Sequence, residues 1–296
     1  MKSLLVSALL LALLVQAFAA PPKPKAKSKT GSKQTNVINK QVYGASGSVS
    51  VSVLGQFKHH VSVVYDASKF CGGSIISPNK ILTAAHCVQS NSIFQLGTIL
   101  VCAARLTVTS LFTAEAGAFC SLTTSKIIHP KYNKTNLDFD IAIVTLTAGD
   151  LTFSSTIGAI RLPSFTDVNN AYVGASAVVA GWGWFSATGY VSTQLQYANF
   201  SIATNSNCSV YYSNSNNVTV NNSTTCIIPS GGAVMCTADA GGAVLIKEAD
   251  GLSTIFAVAT QTSASCNVTT PQVSYRVGAY AALDWIHNVT LIARRT

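Results

Sequence analysis

Short hydrophobic runs dominate the chain from about residue 42 onward. Residues 48 to 53 alternate serine and valine, a period of two that places successive side chains on opposite faces of a strand. Compact apolar runs then recur between glycine, asparagine and serine, at residues 60 to 65, 80 to 84, 141 to 146, 175 to 180 and 255 to 259. Many short strands between turn residues predict an all-β barrel or sandwich.

A helical pattern is confined to the C-terminal segment. Between residues 280 and 295, the side chains of Ala281, Trp285, Val289 and Ile292 fall on one face of a helix. Two arginines end this segment, and cations are favourable beside the exposed carbonyl groups of a helix C-terminus. We therefore expect a C-terminal helix over about 280–295.

The first residues have the pattern of a secretory signal. A lysine precedes an apolar stretch, and residues 17 to 19 (Ala-Phe-Ala) give the small-x-small arrangement of a cleavage site. An uncleaved membrane anchor is the alternative, but the run is short and Ser7 and Gln16 weaken it. We expect residues 1–19 to be a signal peptide, and the mature chain to be secreted and extracellular with no membrane span.

The net charge of +9 is concentrated ahead of the hydrophobic runs. Residues 20 to 40 contain six lysines and no acid, whereas residues 41 to 296 hold twelve basic and ten acidic residues, a balance of +2. We expect residues 20–41 to be a basic, disordered pro-segment, because it has almost nothing to bury. A polyanion is a possible partner of its lysines: Lys23, Lys25, Lys27, Lys29 and Lys33. The alternative is a solvated spacer that is removed by cleavage.

Cysteine and asparagine patterns fit an extracellular chain. All eight cysteines follow the predicted signal, and an even number favours disulfides. Glycosylation sequons, some of which can be chance matches, occur at Asn133, Asn199, Asn207, Asn217, Asn221, Asn222, Asn267 and Asn288.

Three motifs stand in order along the chain. Residues 82–87 read Leu-Thr-Ala-Ala-His-Cys, residues 138–143 read Asp-Phe-Asp-Ile-Ala-Ile, and residues 236–243 read Cys-Thr-Ala-Asp-Ala-Gly-Gly-Ala. They are accompanied by Cys-Gly-Gly-Ser at 71–74, His-Pro-Lys-Tyr at 129–132 and Gly-Trp-Gly at 181–183. With these motifs, residues 42–296 resemble the chymotrypsin-like (trypsin-fold) serine protease family.

This resemblance implies an architecture and a set of disulfides. The architecture is two packed six-stranded antiparallel β-barrels, about 42–165 and about 166–279, followed by the C-terminal helix. The implied pairs are Cys71–Cys87, Cys208–Cys226 and Cys236–Cys266. Cys102 and Cys120 remain, and parity suggests that they close an extra loop of the first barrel.

The resemblance also assigns the positions that carry acyl transfer. His86 matches the general base and Asp140 the carboxylate that orients it. The nucleophilic serine of the family corresponds to Ala240, whose methyl group cannot attack a carbonyl. An oxyanion-hole glycine corresponds to Ala238, where a Cβ can tilt the donor away.

Further departures fall in the specificity pocket and in activation. Counting from the anchoring cysteines places pocket positions at Val234, Thr260, Gln261, Thr262 and Gln272. We expect a glutamine side chain at a pocket position to fill the space of a substrate side chain. The family's activating N-terminus would pair with Asp239. Cleavage after Lys40 exposes a glutamine instead of an aliphatic residue, so we expect no activation of the usual kind.

From these departures we predict an inactive serine protease homologue, a pseudoprotease and not an enzyme, that binds or regulates in extracellular proteolysis. Its partner would be another extracellular protein: a protease, an inhibitor or a receptor. Polyanion binding through the lysines and residual endopeptidase activity are the alternatives. We expect no cofactor and no metal site; in the pair His59-His60 we expect one side chain inside and one outside.

Overall fold

The computed structural model describes residues 48–90, 96–108, 115, 117–147, 149, 151–168, 170–183, 192–213, 218–231, 234–260 and 270–296. The predicted signal peptide and the lysine-rich segment lie outside these residues. The chain divides into residues 1–41 and a body from Val42 to Thr296. Only the body is described below.

The body is built mainly of short strands. The first half contains β1 (Val49–Ser50), β2 (His60–Tyr65), β3 (Lys69–Ser77), β4 (Lys80–Thr83), α1 (Ala85–Val88), β5 (Ile99–Ala103), β6 (Phe119–Thr123), β7 (Lys126–Ile128) and β8 (Ala142–Thr145). A 3₁₀ turn (Phe165–Asp167) leads to β9 (Ser176–Gly181), β10 (Gln196–Ala203), α2 (Asn205–Tyr211), β11 (Thr224–Pro229), β12 (Ala243–Lys247), β13 (Ser253–Ala259), β14 (Gln272–Arg276) and α3 (Tyr280–Thr290).

The strands form two antiparallel sheets. The order in the first is β6-β5-β2-β3-β4-β8-β7, and in the second β1-β10-β11-β14-β13-β12-β9, with β9 also pairing to β10. The predicted all-β fold with two barrel-like sheets and a C-terminal helix is therefore confirmed. Each sheet has seven strands instead of six. β1 is the additional strand of the second sheet. In the first sheet, a turn in which the Ser125 amide donates to Oγ1 of Thr123 (3.0 Å) separates β6 from β7.

Apolar runs in the sequence coincide with strands, but two helices were not predicted. α1 and α2 are four and seven residues long, too short to give a clear helical period. The expectation for His59 and His60 is wrong, because both side chains are buried. His59 lies in the turn before β2, and all six residues of β2 are buried, so both faces of this strand are covered.

Three disulfides lie within the described residues: Cys71–Cys87, Cys102–Cys120 and Cys208–Cys226. Cys236 is also disulfide-bonded. Its expected partner, Cys266, lies outside the described residues. Among the helices described, none has both the length and the apolar character needed to span a bilayer.

Candidate active site

The segment 236–242 lies between the two sheets and is attached to both. The amide of Gly72 on β3 donates to the Ala240 carbonyl oxygen, at 2.8 Å. The amide of Gly241 donates to the carbonyl oxygen of Ala259 at the end of β13, also at 2.8 Å. The third of the sequence motifs is thereby fixed where the first and second halves meet.

His86 and Asp140 are in direct contact. Nδ1 of His86 lies 2.6 Å from Oδ2 of Asp140, and the His86 backbone amide donates to Oδ1 at 2.8 Å. The short helix α1 places the histidine, while the carboxylate comes from the residue before the buried β8 region and is fully buried. The expected base and its orienting carboxylate are therefore brought together.

The electrostatics of this pair suit a base. Burial of the imidazole disfavours its charged form, but the charge of Asp140 and the hydrogen bond outweigh burial, so the pKa of His86 is raised; Lys69 opposes this rise. The His86 side chain keeps 31% of its surface exposed. It is therefore accessible from the cleft and oriented by a carboxylate, the arrangement that a general base requires.

Ala240 lies beside the imidazole. Sγ of Cys87 is 3.7 Å from Nε2 of His86 and also 3.7 Å from the carbonyl oxygen of Ala240. The alanine is 5% exposed and packs in the hydrophobic cluster of the first sheet. The three positions of the expected triad are thus adjacent, with a methyl group at the third.

Ala238 adopts a backbone conformation that favours glycine. Its φ is +82°, in the region where a Cβ is crowded by its own backbone. The sequence predicted a tight turn here, and the turn is present: the amide of Asp239 donates to the carbonyl oxygen of Cys236 at 2.9 Å. The glycine-like backbone is kept although the residue is alanine.

Asp239 is enclosed by backbone. Its carboxylate accepts hydrogen bonds from the amides of Gly183 (2.7 Å) and Cys236 (2.9 Å). A Cβ at Gly181 or Gly183 would collide with this carboxylate, which explains both glycines of the Gly-Trp-Gly motif. Burial raises the pKa of Asp239 to about 6, against the two amide hydrogen bonds. Residues 40–42, the expected cleavage region, lie outside the described residues.

Gln272 occupies a position that the resemblance assigns to the specificity pocket. The side chain is fully buried, its Oε1 accepts from the amide of Met235 at 2.9 Å, and its Nε2 donates to the Met235 carbonyl oxygen at 2.5 Å. The glutamine therefore bonds the segment before Cys236 in the manner of a neighbouring strand. That this glutamine fills the space of a substrate side chain stays a prediction, and its bonding partner, Met235, was not identified from the sequence.

The other predicted pocket positions have different surroundings. Val234 is partly exposed. Thr260 is buried, and its hydroxyl donates to the Val258 carbonyl oxygen (3.2 Å) and accepts from the Tyr275 amide (3.2 Å). Its hydroxyl therefore joins backbone groups of β13 and β14. Gln261 and Thr262 lie outside the described residues.

Comparison with known proteins identifies the family. The family model described as Trypsin matches residues 48–286. The chain belongs to the trypsin family. Chymotrypsin of Phaedon cochleariae is 31% identical over 221 residues, which cover 75% of this chain and 72% of that relative. A solved structure described as HL collagenase aligns with a TM-score of 0.67 and 25% identity, covering 82% of this chain and 97% of the other.

Trypsins of flies share shorter stretches. Trypsin delta and trypsin gamma of Drosophila melanogaster are each 38% identical over 160 residues, 54% of this chain and 58% of the relative. The match therefore spans less than two thirds of these relatives.

The prediction that the chain is not an enzyme is wrong by these comparisons, because its trypsin-family relatives are named as trypsins and a chymotrypsin. That prediction inferred the loss of an activity from the residues at Ala240, at Ala238 and at the specificity-pocket positions. The structure retains the family's base and carboxylate in contact, with the imidazole accessible.

Two groups of side chains remain. Cys71, His86 and Cys87 bring three potential metal ligands within 4.8 Å, but the two sulfurs share a disulfide and cannot bind an ion as thiolates. The sequon asparagines within the described residues are all exposed: Asn133, Asn199, Asn207, Asn221, Asn222 and Asn288. Asn217 and Asn267 lie outside the described residues.

Proposed function

We propose that this chain is a secreted trypsin-family protein that acts in extracellular proteolysis by binding another protein: a protease, an inhibitor or a receptor. The observation that carries the proposal is the buried Gln272 side chain, bonded at both ends to the Met235 backbone. A glutamine held in this way occupies the place where a trypsin-family cleft receives a substrate side chain. Recognition is then left to the surfaces around the cleft.

Secretion is supported by the cysteines and the sequons. Disulfides persist in oxidising compartments, and three are formed within the described residues. Each sequon asparagine that is described has an exposed side chain, as glycosylation requires.

Direct binding measurements test this proposal. The purified, glycosylated chain is titrated against active trypsin-family proteases and protein inhibitors from the same extracellular fluid. We expect saturable binding to one of them. When that partner is a protease, we expect the kcat/KM of the partner to change by about twofold or more. Heat-denatured chain is the control for non-specific effects.

Deletion of residues 20–41 separates the body from the lysine-rich segment. Binding through the body should survive this deletion, whereas polyanion binding through the lysines should be lost and should weaken steeply with salt. Absence of saturable binding to any of these proteins would contradict the proposal.

A further inference from the structure

Helix α2 presents an apolar patch to solvent next to a sequon. Val210 is 78% exposed and Tyr211 is 54% exposed, while Cys208 is buried. Asn207 begins the sequon Asn-Cys-Ser. Residues three and four apart share one face of a helix, so Asn207, Val210 and Tyr211 form a continuous surface, here called the α2 platform.

The Tyr211 ring is fixed in place. Its hydroxyl lies 3.1 Å from Oγ1 of the buried Thr270, and the ring packs edge to face on Tyr212 with centroids 4.9 Å apart. Residues four apart share one face of a helix, so Tyr211 lies on the same face as Asn207. A rigid aromatic ring is thus held beside the sequon with about half of its surface open.

The Asn207 amide is oriented by the turn before the helix. The hydroxyl of Thr204 donates to Oδ1 of Asn207 at 2.5 Å. This bond uses the oxygen and leaves Nδ2, the atom that carries an N-glycan, for the glycosidic bond. Asn207 is exposed, so a glycan on it would begin at the edge of the α2 platform.

The charge around the platform favours an uncharged occupant. Between residues 168 and 246 the only charged residue is Asp239, whose carboxylate is enclosed by backbone. Apart from Asp239, this stretch, which includes α2, offers a protein partner no charged side chain for an ion pair. The C–H face of a sugar ring, in contrast, packs on the electron-rich face of an aromatic ring without any charge.

We propose that the first N-acetylglucosamine of an N-glycan on Asn207 packs on the α2 platform, with its C–H face on the Tyr211 ring. The glycan is added when Nδ2 of Asn207 attacks C1 of an oligosaccharide carried on a lipid diphosphate. The C1–O bond breaks, the lipid diphosphate leaves and Nδ2 loses one proton. The inference rests on secretion, as stated in the proposed function, because this transfer occurs on the secretory route.

The glycan would thereby support the wall of the specificity site. α2 is joined to β11 by the Cys208–Cys226 disulfide, and the Tyr212 hydroxyl donates to the carbonyl oxygen of Pro271 at 2.8 Å. Pro271 precedes Gln272, so a sugar that stabilises α2 also stabilises the segment that holds the glutamine.

A double-mutant cycle on secreted, glycosylated protein tests this packing. Asn207→Gln should lower Tm by about 2 to 4 °C, the range expected when one ring contact is lost from a domain of this size. In a Tyr211→Ala background, the same substitution should lower Tm by much less. Asn133→Gln, which removes an exposed sequon in a turn, should give the same small effect in both backgrounds. Tyr280→Ala is the control for loss of an exposed tyrosine (61% exposed).

Glycopeptide mapping and NMR complete the test. Mass spectrometry should find Asn207 occupied, and the acetamido methyl signal of its first sugar should be shifted upfield by the ring current, a shift that Tyr211→Ala removes. Absence of glycan at every sequon would overturn the proposed secretion. Glycan at other sequons with Asn207 empty, or an equal loss of Tm in both backgrounds, would overturn this inference alone.

Discussion

Ala238 carries a conflict between its side chain and its backbone. Its φ of +82° lies in the region that glycine adopts freely, and the residue is 4% exposed, so neighbouring atoms confine it. A left-handed conformation costs an L-residue about 1 to 2 kcal/mol. The turn at 236–239 is therefore strong enough to impose this conformation on an alanine.

Replacing this alanine tests that strain. Ala238→Gly should raise Tm by about 2 to 4 °C, because relief of the strained φ outweighs the greater chain entropy of glycine in the unfolded state. Ala243→Gly, at a buried position of β12, should lower Tm instead, since no strain is relieved there. Differential scanning calorimetry of both variants gives the two signs. A lower Tm for Ala238→Gly would show that the turn does not strain this residue.

At the scale of elements, Gln272 joins β14 to the segment that precedes Cys236. Its amide group satisfies both the N–H and the C=O of Met235. Two backbone groups that would otherwise be buried without partners are paired by one side chain, so this pairing contributes to stability.

Gln272→Gly removes this pairing. The free energy of unfolding should fall by about 2 to 4 kcal/mol, because two backbone groups lose their partners. The vacated space should also accept a small aromatic amine, detectable by calorimetric titration, which the unmodified chain should not bind. Gln196→Ala, at a partly exposed glutamine that contacts Ser50, should change stability by less than about 0.5 kcal/mol. Unchanged stability in Gln272→Gly would contradict the structural role of the glutamine.

Strands were predictable from the sequence where apolar residues are continuous, as in β2, because burial on both faces leaves a local pattern. Helix α2 was not predictable, because its stability depends on residues that are distant in sequence. These contacts are the disulfide to Cys226 and the tyrosine contacts with Thr270 and Pro271. In the site, the motifs led us to expect His86 beside Asp140, and the two side chains are in contact. The bond from Gln272 to Met235 could not be predicted, because it depends on how two segments meet in space.

At the scale of the whole molecule, buried titratable groups couple stability to pH. Burial lowers the pKa of His59 to about 4 and, together with His59, lowers that of His60 to about 3. Burial and Lys131 lower the pKa of His129 to about 4. Below pH 6.5 the unfolded chain takes up protons on these residues that the folded chain does not, so they make the fold less stable.

Asp239 acts in the opposite direction. Because its pKa is raised to about 6, the folded chain binds this proton more tightly than the unfolded chain, and acidification from pH 6 to 4 stabilises the fold. The three histidines whose pKa values are lowered outweigh Asp239 and His86, whose pKa values are raised. The balance is a fold that is less stable at pH 4 than at pH 7.

Thermal unfolding at the two pH values tests this balance. Tm should fall between pH 7 and pH 4, and His60→Phe should reduce the fall, because phenylalanine can keep the contact with Trp182 but takes up no proton. Asp239→Asn should increase the fall, because it removes a group that favours the fold in acid. An unchanged difference in His60→Phe would exclude His60 as a source of the acid sensitivity.

Each end of the body packs on the half that is distant from it in sequence. β1 precedes the whole first sheet, yet it pairs with β10 of the second sheet. α3 follows the whole second sheet, yet its residues Ala282, Leu283 and Ile286 belong to the large hydrophobic cluster that includes the core of the first sheet. Trp285 also contacts His129 of the first half, with ring centroids 4.9 Å apart. A polypeptide cut between the halves would leave each fragment without an element that only the other supplies. Division of this chain into two independently folding fragments is therefore not expected, and its two sheets should melt in a single cooperative step.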